Sequence, residues 1–232
     1  PVANPFIGKD PFLDQVDGIL FGSDPKEGVI RDRVFLHKDL NFRFEVPPGF
    51  RLINEESRVL AADQSGGRFI FDKAPKADGQ APAAYLRNIW AKDYSVRDLE
   101  SIAINGMDAA TGWLAITAKD GTVYTLRLLA VRYDANTLYR MQFLIPRQRA
   151  GSLNEDMRRT TYSFRPLTSE ERAGIRPYQV EVVRMDGGTS EASLASTIPF
   201  PGYEVRYFKV MNGLEGGAQA PSGSRVKTIR PR

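Results

Sequence analysis

The chain has 232 residues, of which 42% are hydrophobic and 26% are charged, and its formal charge is +4 at pH 7. This composition is typical of a globular protein with a sizeable core and excludes wholesale disorder. Because the chain has no cysteine, disulfide bonds, thiolate metal sites and cysteine nucleophiles are excluded as well.

Residues 1–33 are predicted to form an extended arm or linker that lies on another surface. The apolar residues of PFLDQVDGILFG have helix-like spacing, but the glycines weaken it, so we expect only a short helical turn. The chain starts at Pro1 and not at Met, which suggests a processed product or part of a longer protein. No charged stretch followed by an apolar one opens the chain, so we expect no signal peptide in it.

An α+β domain is predicted for residues 34–167. Its first strand lies in NFRFEVPPGF, where Phe42, Phe44 and Val46 alternate with polar residues before a Pro-Pro-Gly turn. Two further strands are predicted over residues 57–62 and 68–72.

The stretch from Val96 to Ile145 is predicted to be a four-stranded antiparallel meander. Asn-Gly and Asp-Gly pairs supply the positive φ values that tight hairpins need. In the last strand, Tyr139, Met141 and Phe143 alternate with Arg140, Gln142 and Leu144, so the first set is expected to face the core. The turn signals are Asn105-Gly106, Asp120-Gly121 and Asp134-Ala135-Asn136.

Three helices are expected around this meander. One runs over residues 82–92 and lays an apolar face on the sheet, so the domain is an antiparallel sheet with helices packed on it. The capping-box pattern of residues 152–155 opens the next helix. The same pattern at residues 168–171 begins a short helix that ends at Gly174, and we assign residues 168–177 to a linker.

Residues 178–232 are predicted to form a small strand–helix–helix–strand domain. YQVEVV alternates as a strand, and the turn MDGG leads to a helix capped by Thr189 or Ser190. A second helix ends at Asn212-Gly213, which is a good left-handed C-cap. SRVKTI then forms the returning strand.

The sequence offers few groups for catalysis. The single histidine, His37, cannot supply the two imidazoles of an H-E-x-x-H zinc site, and no G-x-S-x-G motif, P-loop or dinucleotide fingerprint occurs. We therefore predict that this chain is not itself an enzyme and holds no metal or cofactor. Trp90 and Trp113 could stack on sugars, but each fits a core position in its element.

Nucleic-acid and membrane binding are also not expected. The arginine-rich stretch from Arg140 to Arg184 lacks an aromatic-rich basic loop and zinc-finger spacing, so we interpret it as solvated surface. No run of about 18 apolar residues occurs, which predicts no membrane span.

Two sequence segments resemble the region that follows the catalytic domain in bacterial cell-envelope H-E-x-x-H zinc metallopeptidases. One is FRPLTSEERAGIRPYQVEVV. This resemblance implies a non-catalytic C-terminal region in the periplasm or cell envelope, with the protease domain as its partner in cis and zinc only in that absent domain. The other segment is PFLDQVDGILFGSDPKEGVIRDRVFLHKDLNFRFEVPPGF, which contains the family's pattern G-x-x-R-x-x-x-F-L-H-x-x-L-x-F, matched by Gly28, Arg31, Phe35, Leu36, His37, Leu40 and Phe42.

The two predicted domains resemble different families. The order of elements in the larger one is similar to the photosystem oxygen-evolving subunit P-like (PsbP-like) fold. The smaller one resembles a lysin-motif (LysM) domain, a family that binds N-acetylglucosamine polymers such as peptidoglycan. It departs from the LysM pattern where the usual Gly-Asp-Thr is Gly187-Gly188-Thr189.

The LysM resemblance implies a glycan site on two loops. In that family the glycan lies between the loop before the first helix and the loop after the second. The alternative is that Thr189 and Asn212-Gly213 serve only as helix caps. The implied glycan-binding residues are Gly188, Thr189, Ser190, Asn212, Gly213 and Leu214.

The function expected from these observations is that of an accessory region of a zinc metalloprotease. It would anchor the protease to peptidoglycan or present substrate to it. The alternative is a regulatory protein–protein interaction module with no affinity for glycans, and a free-standing enzyme ranks last.

Overall fold

The computed structural model describes residues 9–22, 24–75, 79–214 and 217–232. The chain divides into two compact units. The small unit comprises Pro1–Pro25 and Ala173–Arg232, and the large unit comprises Lys26–Arg172. The fold is mixed α+β with antiparallel sheets and helices, as predicted. Within the described ranges, no helix is both long and apolar enough to cross a membrane.

Helices and strands are numbered here along the chain. The helices are α1 (Lys9–Val16), α2 (Pro82–Tyr85), α3 (Arg147–Ala150), α4 (Asn154–Ser163), α5 (Ser169–Gly174), α6 (Glu191–Ala195) and α7 (Glu204–Met211). The strands are β1 (Leu20–Phe21), β2 (Val29–Arg31), β3 (Val34–His37), β4 (Phe42–Glu45), β5 (Arg51–Glu55), β6 (Arg58–Ala62), β7 (Arg68–Lys73), β8 (Arg97–Ile104), β9 (Met107–Thr117), β10 (Val123–Arg132), β11 (Leu138–Pro146), β12 (Arg165–Pro166), β13 (Tyr178–Arg184) and β14 (Arg225–Pro231).

The large unit is built on a seven-stranded antiparallel sheet with the order β5-β6-β7-β11-β10-β9-β8. The predicted meander supplies β8 to β11 and is confirmed. Asn105 and Gly106 have φ values of 48° and 83°, which are the left-handed conformations that a two-residue hairpin turn requires. The Asn-Gly signal therefore fixed this turn through its backbone geometry.

A second sheet, with the order β12-β4-β3-β2, completes the core of the large unit. Phe42 and Phe44, on the predicted strand β4, are buried and lie 5.1 and 4.7 Å from the ring of Phe71 on β7. Met141 and Phe143 on β11 belong to the same buried cluster. Strands β4 and β7 therefore share one hydrophobic core with strand β11 of the meander.

Two helix predictions in the large unit need correction. The helix that starts at Pro82 has only one α-helical turn, and residues 86–90 form a π-helical turn that the N–H of Ala91 closes on the carbonyl of Leu86 at 2.9 Å. The predicted capping box at residues 152–155 is wrong. Helix α4 begins at Asn154 without a side-chain cap, because its N-cap residue is Leu153; the Ser152 hydroxyl donates to the Arg149 carbonyl at 2.9 Å.

The second predicted capping box is present. The N–H of Thr168 donates to the Glu171 carboxylate at 2.9 Å, and the N–H of Glu171 donates to the Thr168 hydroxyl at 3.1 Å. This reciprocal pair satisfies two backbone donors at the start of α5.

The small unit contains the predicted order of strand, helix, helix and strand, namely β13, α6, α7 and β14. Residues 9–21, predicted to lie in the arm of residues 1–33, add α1 and a third strand to it. Strand β1 pairs with β13, and Phe21 packs edge-on against Phe200 and Tyr207. The predicted arm is thus divided, since β2 belongs to the large unit.

Candidate functional site

The first predicted glycan loop is a tight turn held by Asp186. The Asp186 carboxylate accepts hydrogen bonds from the Gly188 N–H at 3.0 Å and from the Thr189 hydroxyl at 2.5 Å. These bonds, the Thr189 bond first, lower the pKa of Asp186. The carboxylate missing from the Gly-Asp-Thr position is therefore replaced by one from earlier in the same turn. Of the two candidate caps, Ser190 caps α6 by accepting from the Ser193 N–H at 3.0 Å.

The second predicted loop ends helix α7. The N–H of Leu214 donates to the Lys209 carbonyl at 2.8 Å, and Gly213 has a φ of 67°, as in a Schellman C-cap. The Asn212 amide donates to the carbonyls of Phe208 and Lys227 and accepts from the Lys227 N–H, all within 2.9 Å. Asn212 therefore joins α7 to β14, and its side chain is occupied by the fold.

The two loops are linked through the helices that they flank. Glu191, which follows the first loop, forms an ion pair with Lys209 on α7 at 3.4 Å and also accepts from the Ala220 N–H. Leu214 packs on the apolar core of the small unit. Among the six predicted residues, Gly188, Ser190 and Gly213 are exposed and the others are partly covered.

His37 is held as a packing residue at the end of β3. Its ring lies 5.6 Å from that of Phe42, and its Nδ1 accepts from the Leu40 N–H at 3.2 Å. Burial lowers the pKa of His37, and the charge of Asp39 opposes this effect. The imidazole is therefore neutral at pH 7. In the described ranges of the chain, no group of three His, Asp or Glu side chains is arranged to hold a metal ion.

A groove that the sequence did not reveal crosses one end of the large sheet. It has a volume of about 690 Å³ and lies between strands β8, β9 and β10 and helices α3 and α4. We call it the sheet groove. The lining residues that matter for its chemistry are Arg97, Asp98, Glu100, Trp113, Arg127, Arg147 and Asn154.

The register of the sheet creates this groove. Arg97 pairs with Trp113, and Trp113 pairs with Arg127. The same row continues into the core, because Arg127 pairs with Phe143 and Phe143 with Phe69. Side chains of directly paired residues lie on the same face of a sheet. One row of side chains therefore changes from buried phenylalanine to arginine and tryptophan as it leaves the core.

A β-bulge shapes the outer wall of the groove. Asp98 and Leu99 on β8 lie opposite the single residue Gly112 on β9. Asp98 has a φ of 47°, which is unfavourable for a residue with a side chain. Its carboxylate accepts from the Trp113 indole N–H at 2.7 Å. The guanidinium of Arg97 lies 5.4 Å from the centre of the Trp113 ring, so the indole is fixed from two sides.

Gly112 permits the close approach of the bulge. A Cβ atom there would lie 2.4 Å from a methyl group of Val96 and 3.2 Å from the Arg97 carbonyl. We expect Gly112→Ala to displace the bulge and to lower the free energy of unfolding by about 1 kcal/mol, measured by urea denaturation. Gly151→Ala is the matched control, since Gly151 lines the same groove at a φ of −64° with open space around it. Equal stability of both variants would contradict this role.

Arg127 is positioned by neutral partners. Its Nε donates to the hydroxyl of buried Thr111 at 3.1 Å, and its Nη1 lies 3.5 Å from the Asn154 side-chain oxygen. Throughout the described part of the chain, no carboxylate lies within 4.0 Å of the guanidinium groups of Arg97, Arg127 or Arg147.

Both tryptophans are predicted to fit core positions, but their surroundings differ. Trp90 packs near Tyr85 at 6.4 Å and beneath Arg140. Trp113 is partly buried, as Trp90 is, but it lines the groove. The signal that could have revealed the groove is the cross-strand pairing of Trp113 with two arginines, which requires the register of the meander.

Comparisons with known proteins show distant structural likeness. No protein-family model and no curated protein matches the sequence. A protein from Bacteroides thetaiotaomicron is 17% identical with a TM-score of 0.45; the match covers 72% of this chain but only 57% of that protein. Cyanobacterial PsbP from Synechocystis is 12% identical with a TM-score of 0.44, over 63% of this chain and 99% of that one.

A third similar structure is LpqN, a protein of Mycobacterium tuberculosis involved in cell envelope biogenesis. It is 13% identical with a TM-score of 0.39, and the match covers 53% of this chain and 81% of that one. All three TM-scores lie below 0.5, so these likenesses assign neither a ligand nor a partner to this chain.

Proposed function

We propose that this chain is a non-catalytic accessory region of a bacterial cell-envelope zinc metallopeptidase, located in the periplasm or cell envelope. The protease domain is its partner in cis and supplies the zinc. The large unit is assigned to the PsbP-like folds, and the small unit serves as a LysM-like module that binds peptidoglycan or another N-acetylglucosamine polymer.

The observation that carries this proposal is the turn before α6. Asp186 fixes the Gly188 N–H and the Thr189 hydroxyl, while Gly188 and Ser190 remain exposed. A rigid turn with exposed backbone suits a sugar polymer, because little conformational entropy is lost when the polymer binds. Asn212 is assigned to positioning this surface, since its amide joins α7 to β14.

The residues that resemble the metallopeptidase motif support the same proposal through their packing. Gly28 has a φ of 96°, and a Cβ atom there would lie 2.4 Å from the ring of Phe35. Phe35 and Phe42 are buried, and His37 pairs with Phe42 across β3 and β4. The residues of this motif therefore determine how β2, β3 and β4 pack against one another. This role is expected of a structural segment beside a separate catalytic domain.

Sedimentation with insoluble peptidoglycan tests the proposed glycan site. We expect the chain to pellet with peptidoglycan, and we expect Gly188→Leu to weaken this retention about tenfold because its side chain blocks the exposed turn. Gly187→Leu is the matched control, since Gly187 is exposed with nothing within 4 Å of a Cβ atom. A wild-type chain that stays in the supernatant, or equal loss by both variants, would overturn the proposal.

A second candidate function is a regulatory protein–protein interaction module without glycan affinity. It is favoured by large apolar side chains exposed near and on α7, with Tyr203 at 63% and Val210 at 64%. Thermal unfolding with millimolar chitin oligomers distinguishes the two functions. A rise in the melting temperature supports the glycan site, and an unchanged melting temperature supports the interaction module.

A further inference from the structure

We propose that the sheet groove binds the carboxylate end of an extended peptide, with Arg127 and Arg147 holding the carboxylate and Trp113 supporting an apolar side chain. The groove lies within the large unit. It is therefore independent of the two loops assigned to glycan binding in the small unit.

The charge of the groove calls for a negatively charged ligand group. Several other arginines of the large unit have carboxylate partners at short range, as Arg149 has in Asp63 at 2.7 Å and Arg165 has in Glu171 at 2.8 Å. The three groove arginines, Arg97, Arg127 and Arg147, have none among the described residues. A guanidinium binds a carboxylate through two parallel hydrogen bonds. A ligand carboxylate would thus supply the missing partner.

The distribution of charge favours a ligand with one negative end over a polyanion. Arg127 on β10 and Arg147 on α3 line one side of the groove, whereas β8 at the other side carries Asp98 and Glu100 together with Arg97. A uniformly negative polymer would be repelled by the two carboxylates on β8. A peptide presents a carboxylate at one end and neutral amide groups along the rest.

Strand β8 offers backbone groups beside the groove to the part of the peptide that precedes its carboxylate end. It is the edge strand of the described sheet, and its bulge at Asp98 and Leu99 interrupts the pairing with β9. Edge strands present N–H and carbonyl groups that an extended peptide can pair with.

The floor of the groove suits a side chain of the peptide. Trp113 is held by Asp98 and by Arg97, so its indole is fixed before a ligand arrives and loses little freedom on binding. The volume of about 690 Å³ lies within the range of roughly 300–1,000 Å³ that is usual for small-ligand sites.

A fluorescence-anisotropy titration tests the proposal with the full chain. The probe is the peptide Ala-Ala-Ala-Val labelled with fluorescein at its amino end, used once with a free carboxylate and once as the C-terminal amide. We expect the free acid to bind at least about tenfold more tightly than the amide, because charge-assisted hydrogen bonds are roughly twice as strong as neutral ones. Binding should weaken as salt rises from about 50 to 500 mM.

The decisive variant is Arg147→Gln. Arg147 is exposed on α3, so its replacement should leave the fold intact while weakening the free acid about tenfold and leaving the amide unchanged. Arg127→Gln should have the same effect, with circular dichroism as the folding control. Arg206→Gln is the matched charge control, since Arg206 is an exposed residue of α7 in the small unit.

Three results would overturn this assignment. The first is equal affinity for acid and amide, and the second is no binding of either peptide at millimolar protein. The third is tighter binding of a sulfated oligosaccharide than of the free acid, which would make the groove a polyanion site. None of these results depends on retention by peptidoglycan, so the peptide site and the glycan site are tested independently.

Discussion

Replacing Phe143 by alanine is expected to lower the free energy of unfolding by about 3–5 kcal/mol. Phe143 has no exposed surface, and its ring centre lies 5.0 Å from that of Phe69, its direct partner on β7. Removing the ring leaves a cavity where β7 and β11 meet. This loss approaches the whole stability of a domain at the lower end of the usual range of about 5–15 kcal/mol.

Urea denaturation at neutral pH measures this effect, and Ile53→Ala provides the control. Ile53 lies on β5 of the same sheet, but 54% of its surface is exposed, so its truncation removes little buried contact. A loss below about 1 kcal/mol for Phe143→Ala would mean that the neighbouring rings close the cavity.

Local signals in the sequence were sufficient for the meander. Asn105 and Gly106 carry their turn preference in their own backbone conformations, and the alternation around Phe143 identifies the buried face of β11. Strand β5 was missed for a related reason. Its most apolar residue, Ile53, faces solvent, so the strand lacks the alternation by which half-buried strands are identified.

Other features depend on contacts between residues far apart in the chain. The segment of α1 and β1 joins the small unit because the N–H of Gly18 donates to the carbonyl of Val180 at 2.8 Å and Leu13 is buried there. A composition rich in turns gives no sign of such a partner. The capping pattern at residues 152–155 failed because the helix starts one residue later than the pattern implies, so that Leu153, which has no side-chain acceptor, is its N-cap.

The sheet groove also depends on contacts between residues far apart in the chain, so the sequence alone did not predict it. Trp113 looks like a core residue within its own strand, and only its pairing with Arg97 and Arg127 shows that it leaves the core. The strained conformation of Asp98 comes from a bulge that two strands form together. Both properties follow from register, which one strand considered alone does not specify.

The second large effect is expected at Glu171, which joins three parts of the large unit. Its carboxylate accepts from Arg165 at 2.8 Å, from Arg43 on β4 at 3.1 Å and from the N–H of Thr168 at 2.9 Å. These bonds, that of Arg165 first, lower the pKa of Glu171 from 4.5 to about 2 although partial burial opposes the change.

Glu171→Gln should therefore lower the free energy of unfolding at pH 7 by about 2 kcal/mol. A pKa change of this size corresponds to about 3.4 kcal/mol, and solvent screening reduces it because 22% of the side chain is exposed. The pKa of Glu171 is lower in the folded protein than in the unfolded chain. The stabilisation from its charged carboxylate is therefore present above pH 4.5 and is lost as the pH falls towards 2.

Urea denaturation of the wild-type protein and of Glu171→Gln from pH 7 to pH 2.5 measures how the difference in their free energies of unfolding depends on pH. The difference in free energy of unfolding between wild type and Glu171→Gln should be largest at pH 7. It should decrease steadily below pH 4.5, because wild-type Glu171 then takes up a proton and loses its charge, whereas glutamine does not titrate. Glu170→Gln, an exposed neighbour on the same helix, should stay close to wild type throughout. A difference that is the same at both ends of this range would show that packing, and not the carboxylate charge, holds Arg43 and Arg165 at this junction.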